Sequence, residues 1–190
     1  MERSTSCSAH DVVAEAAQWI GYLEHKDSRH IGLYRSNAGK GGYTAFAEIV
    51  RQKCKRNLQG LPWCAVFIHS CFANVYGGEG ARMLLGRPHA GTRVLARRMR
   101  RKGLWRDKGY TPVAGDIIFL ANDGKHIDHC GIVTESDGET VTSIDGNTVD
   151  PSGFFTEEQG GAVALRDRLL TDVRIIGYGA TGGAEHGSYL

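Results

Sequence analysis

Apolar positions change their rhythm once along this chain. Up to about residue 103 they recur at helical spacing, and beyond it they alternate. Ser8-Ala9-His10-Asp11 reads as a capping box. Val12, Val13, Ala16, Ile20 and Leu23 then follow every three or four positions, which predicts a helix to about Leu23. A polar, glycine-containing connection covers 24–42. A shorter helix is predicted from Tyr43 to about Lys55, with Phe46, Ile49 and Val50 on one face. Gly60-Leu61-Pro62 breaks the chain before the most apolar helix, Trp63 to about Val75. Proline suits a first helical turn, whose N–H groups have no partner in the helix. Tyr76-Gly77-Gly78 should end that helix, and Thr92 can cap a fourth that stops at Gly103.

After Gly103 the alternation predicts strands over Asp116–Leu120, His129–Glu135, Thr140–Asp145 and Arg174–Tyr178. Ser136-Asp137-Gly138 is a hairpin signal between the second and third. Helices first and an antiparallel sheet second define the α+β class. No repeat and no long linker divides the chain, so 1–179 reads as one domain followed by a Gly-rich, flexible tail over 180–190.

Composition narrows the class without choosing a function. Of 190 residues 41% are hydrophobic and 23% charged, with a net charge of +2. That balance argues neither for nor against a polyanionic partner. No stretch approaches the roughly 20 apolar residues of a membrane span. The N-terminus lacks the apolar run of a secretory signal, so synthesis in the cytoplasm is expected. Five cysteines, an odd count, argue against a disulfide framework. No Cys-x-x-Cys pair suggests structural zinc, so some thiols should be free.

One of them sits where a thiol is activated. Cys64 falls in the first turn of the apolar helix, two residues after Pro62. The partial positive charge of a helix N-terminus favours thiolate over thiol. The bland reading is a small buried hydrophobe, which fits Cys71 on the same helix. Among eight histidines, His69 is nearest in sequence, but five residues turn roughly 140° around the helix axis. His10, His25, His30 and His186 lie in polar or terminal segments and should be solvated. His129 begins a strand and shares a face with Gly131 and Val133. A three-residue loop at Ser136-Asp137-Gly138 sets Glu135 opposite Glu139 and His129 opposite Asp145. A two-residue loop would put His129 and Asp145 on opposite faces. An Asp facing a His can fix the ring's tautomer and stabilise its cation. Asn147, next on that face, could share this role or hold substrate. The plainer alternative is an exposed cross-strand pair.

These residues resemble a known family. Pro62-Trp63-Cys64-Ala65-Val66-Phe67-Ile68 is similar to the nucleophile motif of CHAP-domain peptidoglycan hydrolases, within the NlpC/P60-like, papain-like superfamily. Ala114-Gly115-Asp116-Ile117-Ile118-Phe119, His129-Cys130-Gly131-Ile132-Val133 and Ser143-Ile144-Asp145-Gly146-Asn147-Thr148 resemble the family's strands in order, and Ile20-Gly21-Tyr22-Leu23-Glu24 its first helix. The resemblance implies a papain-like fold with Cys64 as nucleophile and His129 as base. It puts Asp145 where the family has Glu, and it matches Asn147 to the family's Asn. The implied substrate is peptidoglycan, cut at the muramoyl–L-alanine amide or within the stem or cross-bridge peptide. Some relatives bind calcium before the cysteine; 42–60 has one acidic residue, Glu48, so no metal or other cofactor is expected. Trp63 and Gln59 are candidates for substrate or oxyanion contacts. A monomer acting on the wall after release, as a phage lysin or an exported effector, completes the expectation.

Arg93, Arg97, Arg98, Arg100, Arg101 and Lys102 crowd one helix. A solvated face is the simpler reading, attraction to anionic wall polymers the functional one. No interleaved aromatics support nucleic-acid stacking. Three rivals stand beside wall hydrolysis. One is a cysteine protease or deamidase effector acting on protein. Another is a non-catalytic wall-binding module. The last is a zinc site drawn from Cys64, Cys71, His129 and Cys130.

Overall fold

A computed structural model describes residues 7–149 and 161–183. Among these, four helices precede a six-stranded antiparallel sheet, the α+β order expected. The first helix, α1 (Ala9–Ala17), starts with the Ser8–Asp11 capping box. It stops well short of Leu23, because Tyr22 and Leu23 are taken by the sheet's outer strand. Leu23 bridges Ala162, and Val163 N–H donates to the Tyr22 carbonyl at 2.9 Å. Helix α2 (Ala45–Cys54) is capped by Thr44, whose hydroxyl accepts from Ala47 N–H at 3.1 Å.

Helix α3 (Cys64–Leu85) is interrupted at Gly77 (φ 72°, ψ 168°), where the sequence called for a stop. A second helical run follows to Leu85, which the apolar spacing had not indicated. Every residue from Cys64 to Ala73 is buried, so this segment is the central rod of the core. Helix α4 (Thr92–Arg101) begins with Thr92 as its first residue and Gly91 as its cap.

The strands are β1 (Trp105–Asp107), β2 (Ile117–Leu120), β3 (His129–Ser136), β4 (Thr140–Thr148), β5 (Ala162–Leu169) and β6 (Ile175–Gly179), in the order β1-β6-β2-β3-β4-β5. Neither β1 nor β5 was expected from sequence. Alternate side chains face two clusters. Ile117, Phe119, Cys130, Ile132 and Ile144 join the helices, while Ile118, Leu120, Val133, Val141, Ile175 and Tyr178 pack on the other face. Helix α3 lies against β3 and β4, flanked by the other helices. Gly146 permits this: a Cβ there would come within 2.7 Å of Phe67 Cβ and 2.9 Å of the Trp63 ring.

The β3–β4 register corrects the expected one. Near the turn Ser136 pairs with Val141 and Glu135 with Thr142. Continued unchanged, that register would put His129 and Asp145 on opposite faces. An irregularity between Val133 and Glu135 lets the bulging Thr134 absorb one residue. Beyond it Val133 pairs with Ser143 and Gly131 with Asp145. His129 therefore shares a face with Asp145 but lies two residues along, diagonal to it.

Packing contacts continue past Gly179. Thr181 is buried, and its hydroxyl donates to the Gly115 carbonyl at 2.7 Å. Gly182 N–H donates to Asp116 Oδ1 at 2.7 Å. The start of the supposed loose tail is thus fastened by these bonds, and 184–190 lie outside the described residues.

Candidate active site

Cys64 is the first helical residue of α3, and Trp63 before it supplies no side-chain cap. The first-turn N–H groups are therefore unfilled by any capping side chain, and their field falls on the sulfur. The start of α3 abuts the start of β3, which brings the Cys64 sulfur beside both the Cys130 thiol and the His129 ring. The His129 side chain is 18% exposed, and its Nε2 lies 2.9 Å from Asp145 Oδ2. That leaves Nδ1 as the ring nitrogen for the sulfur.

Asp145 is fully buried. Its Oδ1 accepts from the Ser143 hydroxyl at 2.7 Å, and its Oδ2 accepts also from Arg168 Nη2 at 2.5 Å. Arg168 Nη1 donates to Ser143 Oγ at 2.7 Å. The carboxylate occupies space left by Gly131, where a Cβ would lie 2.0 Å from Asp145 Oδ1. A side chain at 131 would close the diagonal route from β4 to His129.

These contacts set the protonation states. The Cys130 hydrogen bond, against burial and with help from His129, lowers the Cys64 thiol to about 5. Burial pulls His129 down, but its bonds to Asp145 and Cys64 outweigh it and raise the ring to about 10. Burial pushes Asp145 up, and His129, Arg168 and Ser143 together hold it below the ordinary carboxylate range. A thiolate–imidazolium pair is thus the favoured state near neutral pH.

The pair opens on a cleft of about 400 Å³, whose lining includes Pro62, Cys64, His129, Asn147, Arg166 and Arg168. Asn147 adopts a left-handed backbone (φ 58°) beside the pair. It does not orient the ring through Nε2, because Asp145 holds that nitrogen. Trp63 and Gln59 lie elsewhere than expected. Trp63 is 1% exposed, stacks on Phe46 at 5.3 Å and donates to Glu24 Oε2 at 2.7 Å, so it belongs to the core and not to a substrate surface. The Gln59 amide is spent on Thr44, accepting from its N–H at 2.8 Å and donating to its carbonyl at 2.9 Å. Both ends of the amide are turned to Thr44, and Gln59 does not line the cleft.

Two other histidines are core residues. His69 is buried and lowered to about 3, chiefly by burial, so it is neutral. His25, expected in solvent, is buried between the Ala38 and Tyr43 bridges. All five cysteines are free, and Cys71 is buried as expected. Sequence reasoning missed three polar groups of the site: Cys130, Ser143 and Arg168. Cys130 does point into the helix-facing cluster, away from the His129 face, yet its thiol still reaches Cys64 across the end of the helix.

A comparison with curated proteins finds no match. The family model described as the CHAP domain matches residues 56–147, a span that holds Cys64, His129, Asp145 and Asn147. The match is consistent with a CHAP-domain peptidoglycan hydrolase, a family of amidases or peptidases.

Proposed function

We propose that this protein cleaves an amide bond of peptidoglycan through an acyl-enzyme on Cys64. The observation that carries the reading is a single imidazole bridging a lowered thiol and a buried carboxylate at the wall of an open cleft. The Cys64 thiolate attacks the amide carbonyl, and the carbonyl oxygen takes up negative charge. The Cys64 backbone N–H, at an uncapped helix start, is positioned to donate to that oxygen. His129 gives its Nδ1 proton to the departing amine while Asp145 stabilises the imidazolium. His129 then draws a proton from water, which releases the acid product and frees the sulfur.

The basic helix supports a second, weaker contact with the wall. Arg93 donates to the Ile127 carbonyl at 3.2 Å, Arg98 to the Arg87 carbonyl, and Arg100 lies 3.9 Å over the Trp105 ring. Arg97 and Arg101 remain exposed on α4, where they would attract anionic wall polymers in a salt-sensitive way.

Purified peptidoglycan is the deciding substrate. Wild type should clear it in a zymogram and Cys64→Ala should not, a loss of at least about a thousandfold for a missing nucleophile. Mass spectrometry of the fragments then identifies the freed amine and hence the bond. A wild type that leaves walls intact but cleaves or deamidates protein would overturn wall hydrolysis in favour of a protein-directed enzyme.

A further inference from the structure

We propose that Arg168 is a positioning residue of this site, holding the Asp145 carboxylate charged and aimed at His129 so that the thiolate–imidazolium pair persists in a buried pocket. The proposal rests on the reading of Cys64 and His129 given above. Arg168 lies beyond the span matched by the family model and on β5, outside the segments that resemble the family's motifs.

The case begins with register. On β5 Arg168 pairs with Val141 of β4, which puts it on the face shared by Ser143 and Asp145. Its side chain is only 7% exposed, unusual for an arginine unless its charge is answered. The answer is a closed ring of bonds. One arm of the guanidinium meets Asp145 Oδ2 at 2.5 Å, the other meets Ser143 Oγ at 2.7 Å, and that hydroxyl donates to Asp145 Oδ1 at 2.7 Å. Both carboxylate oxygens are fixed before the imidazole arrives at 2.9 Å. Lysine, with one charged nitrogen, cannot span both acceptors as a planar fork does.

Charge supplies the second half. A thiolate, an imidazolium and a carboxylate sum to one negative charge. Leaving that charge uncompensated in a buried pocket is costly. Arg168 brings the set to neutrality. Without it the cheapest relief is a proton on Asp145, and a neutral acid no longer answers the imidazolium. The titratable and charged groups facing Asp145 are His129 and Cys130 from β3 and Arg168 from β5. Asp172 and Tyr178 in turn feel the charge of Arg168. None of these supplies a second fixed cation to Asp145.

The test reads the thiol directly and needs no wall substrate. The rate of Cys64 alkylation by iodoacetamide is followed against pH by mass spectrometry of its peptide, in wild type, Arg168→Met, Arg168→Lys, Asp145→Asn and the Arg168→Met/Asp145→Asn double variant. Wild type should react well below the roughly 8.5 of a free thiol. Arg168→Met should move the half-point upward by about one pH unit or more, and Arg168→Lys by less. With Asp145→Asn already present, Arg168→Met should add no further shift, because its route is gone. A structural ion pair alone would lower the melting temperature and leave the profile in place, which overturns the proposal. So does an equal shift with and without Asp145. Should Arg168→Met not fold, Arg168→Lys carries the test, and an unmoved profile there is equally fatal. A wild-type Cys64 reactive only in the free-thiol range overturns both the thiolate reading and this one. A shifted profile in an enzyme that leaves walls intact supports Arg168 and sinks wall hydrolysis alone.

Discussion

Position 131 has no side chain because a carboxylate fills the place where one would stand. Asp145 reaches His129 diagonally, and its Oδ1 lies 2.0 Å from where a Cβ at Gly131 would sit. Gly131→Ala should therefore push the carboxylate off the ring while the strand pairing survives. A displacement near 1 Å at a catalytic group costs about a hundredfold in rate, so kcat/KM on peptidoglycan should fall by about that factor. The overlap itself should cost about 1–3 kcal/mol of stability, measurable by thermal unfolding. An alanine variant with wild-type turnover would show that Asp145 need not point at His129. At this scale the placing of Cys64 at a helix start and of His129 at a strand start was legible, whereas Asp145 was expected opposite His129 and pairs instead with Gly131. Arg168 was not legible. It is a buried arginine on a strand that turns Leu165 and Leu169 to solvent, the reverse of what an apolar pattern teaches.

Elements meet here through a few buried polar ties. Trp63 closes the entrance of α3 onto Glu24, a buried carboxylate in the connection after α1, at 2.7 Å. Trp63→Phe keeps the stacking on Phe46 and strands that carboxylate, at a cost of about 1–3 kcal/mol. For a domain of this size the melting temperature should drop by about 2–4 °C per kcal/mol. Activity per folded molecule should be retained, since the ring sits in the core. Loss of activity without loss of stability would return Trp63 to the substrate surface. Helix α2 and the four strands β2, β3, β4 and β6 were readable from period alone. The hairpin register was not, because a single bulged residue at Thr134 undid the slip set at the turn, and a bulge has no signature in alternating polarity. The extension of α3 beyond Gly77 was hidden for a similar reason: the glycine does break the helix, and the chain resumes one.

The molecule as a whole should carry the signature of its site in its pH dependence. Folding lowers Cys64 from roughly 8.5 to about 5 and raises His129 from roughly 6.5 to about 10. Cys64 adds stability that is complete above its unfolded value and lost as pH falls toward about 5. His129 adds stability that is complete below its unfolded value and lost as pH rises toward about 10. Between roughly 6.5 and 8.5 folded and unfolded forms bind the same number of protons at these two groups, so their contribution is flat. Outside that window it should decline by about 1.4 kcal/mol per pH unit on either side. Urea unfolding of wild type against Cys64→Ala checks this. The variant should lose the acid-side slope between about 5 and 6.5, and its decline should begin near 6.5 instead of 8.5. Equal curves would mean that no ion pair forms. The order of helices before sheet was legible at this scale, because one change of period near Gly103 divides the chain.

Strand β5 bears on how small a working unit of this protein can be made. A designer wishing to graft it onto another targeting module would be tempted to cut after Asn147, where the recognisable family sequence stops. Such a fragment would leave the outer side of β4 as a bare row of backbone donors and acceptors, an invitation to stick to its neighbours. It would also discard the guanidinium that neutralises its own acid and the threonine latch that ties Thr181 to Gly115. A unit meant to keep these ties should extend to Gly182.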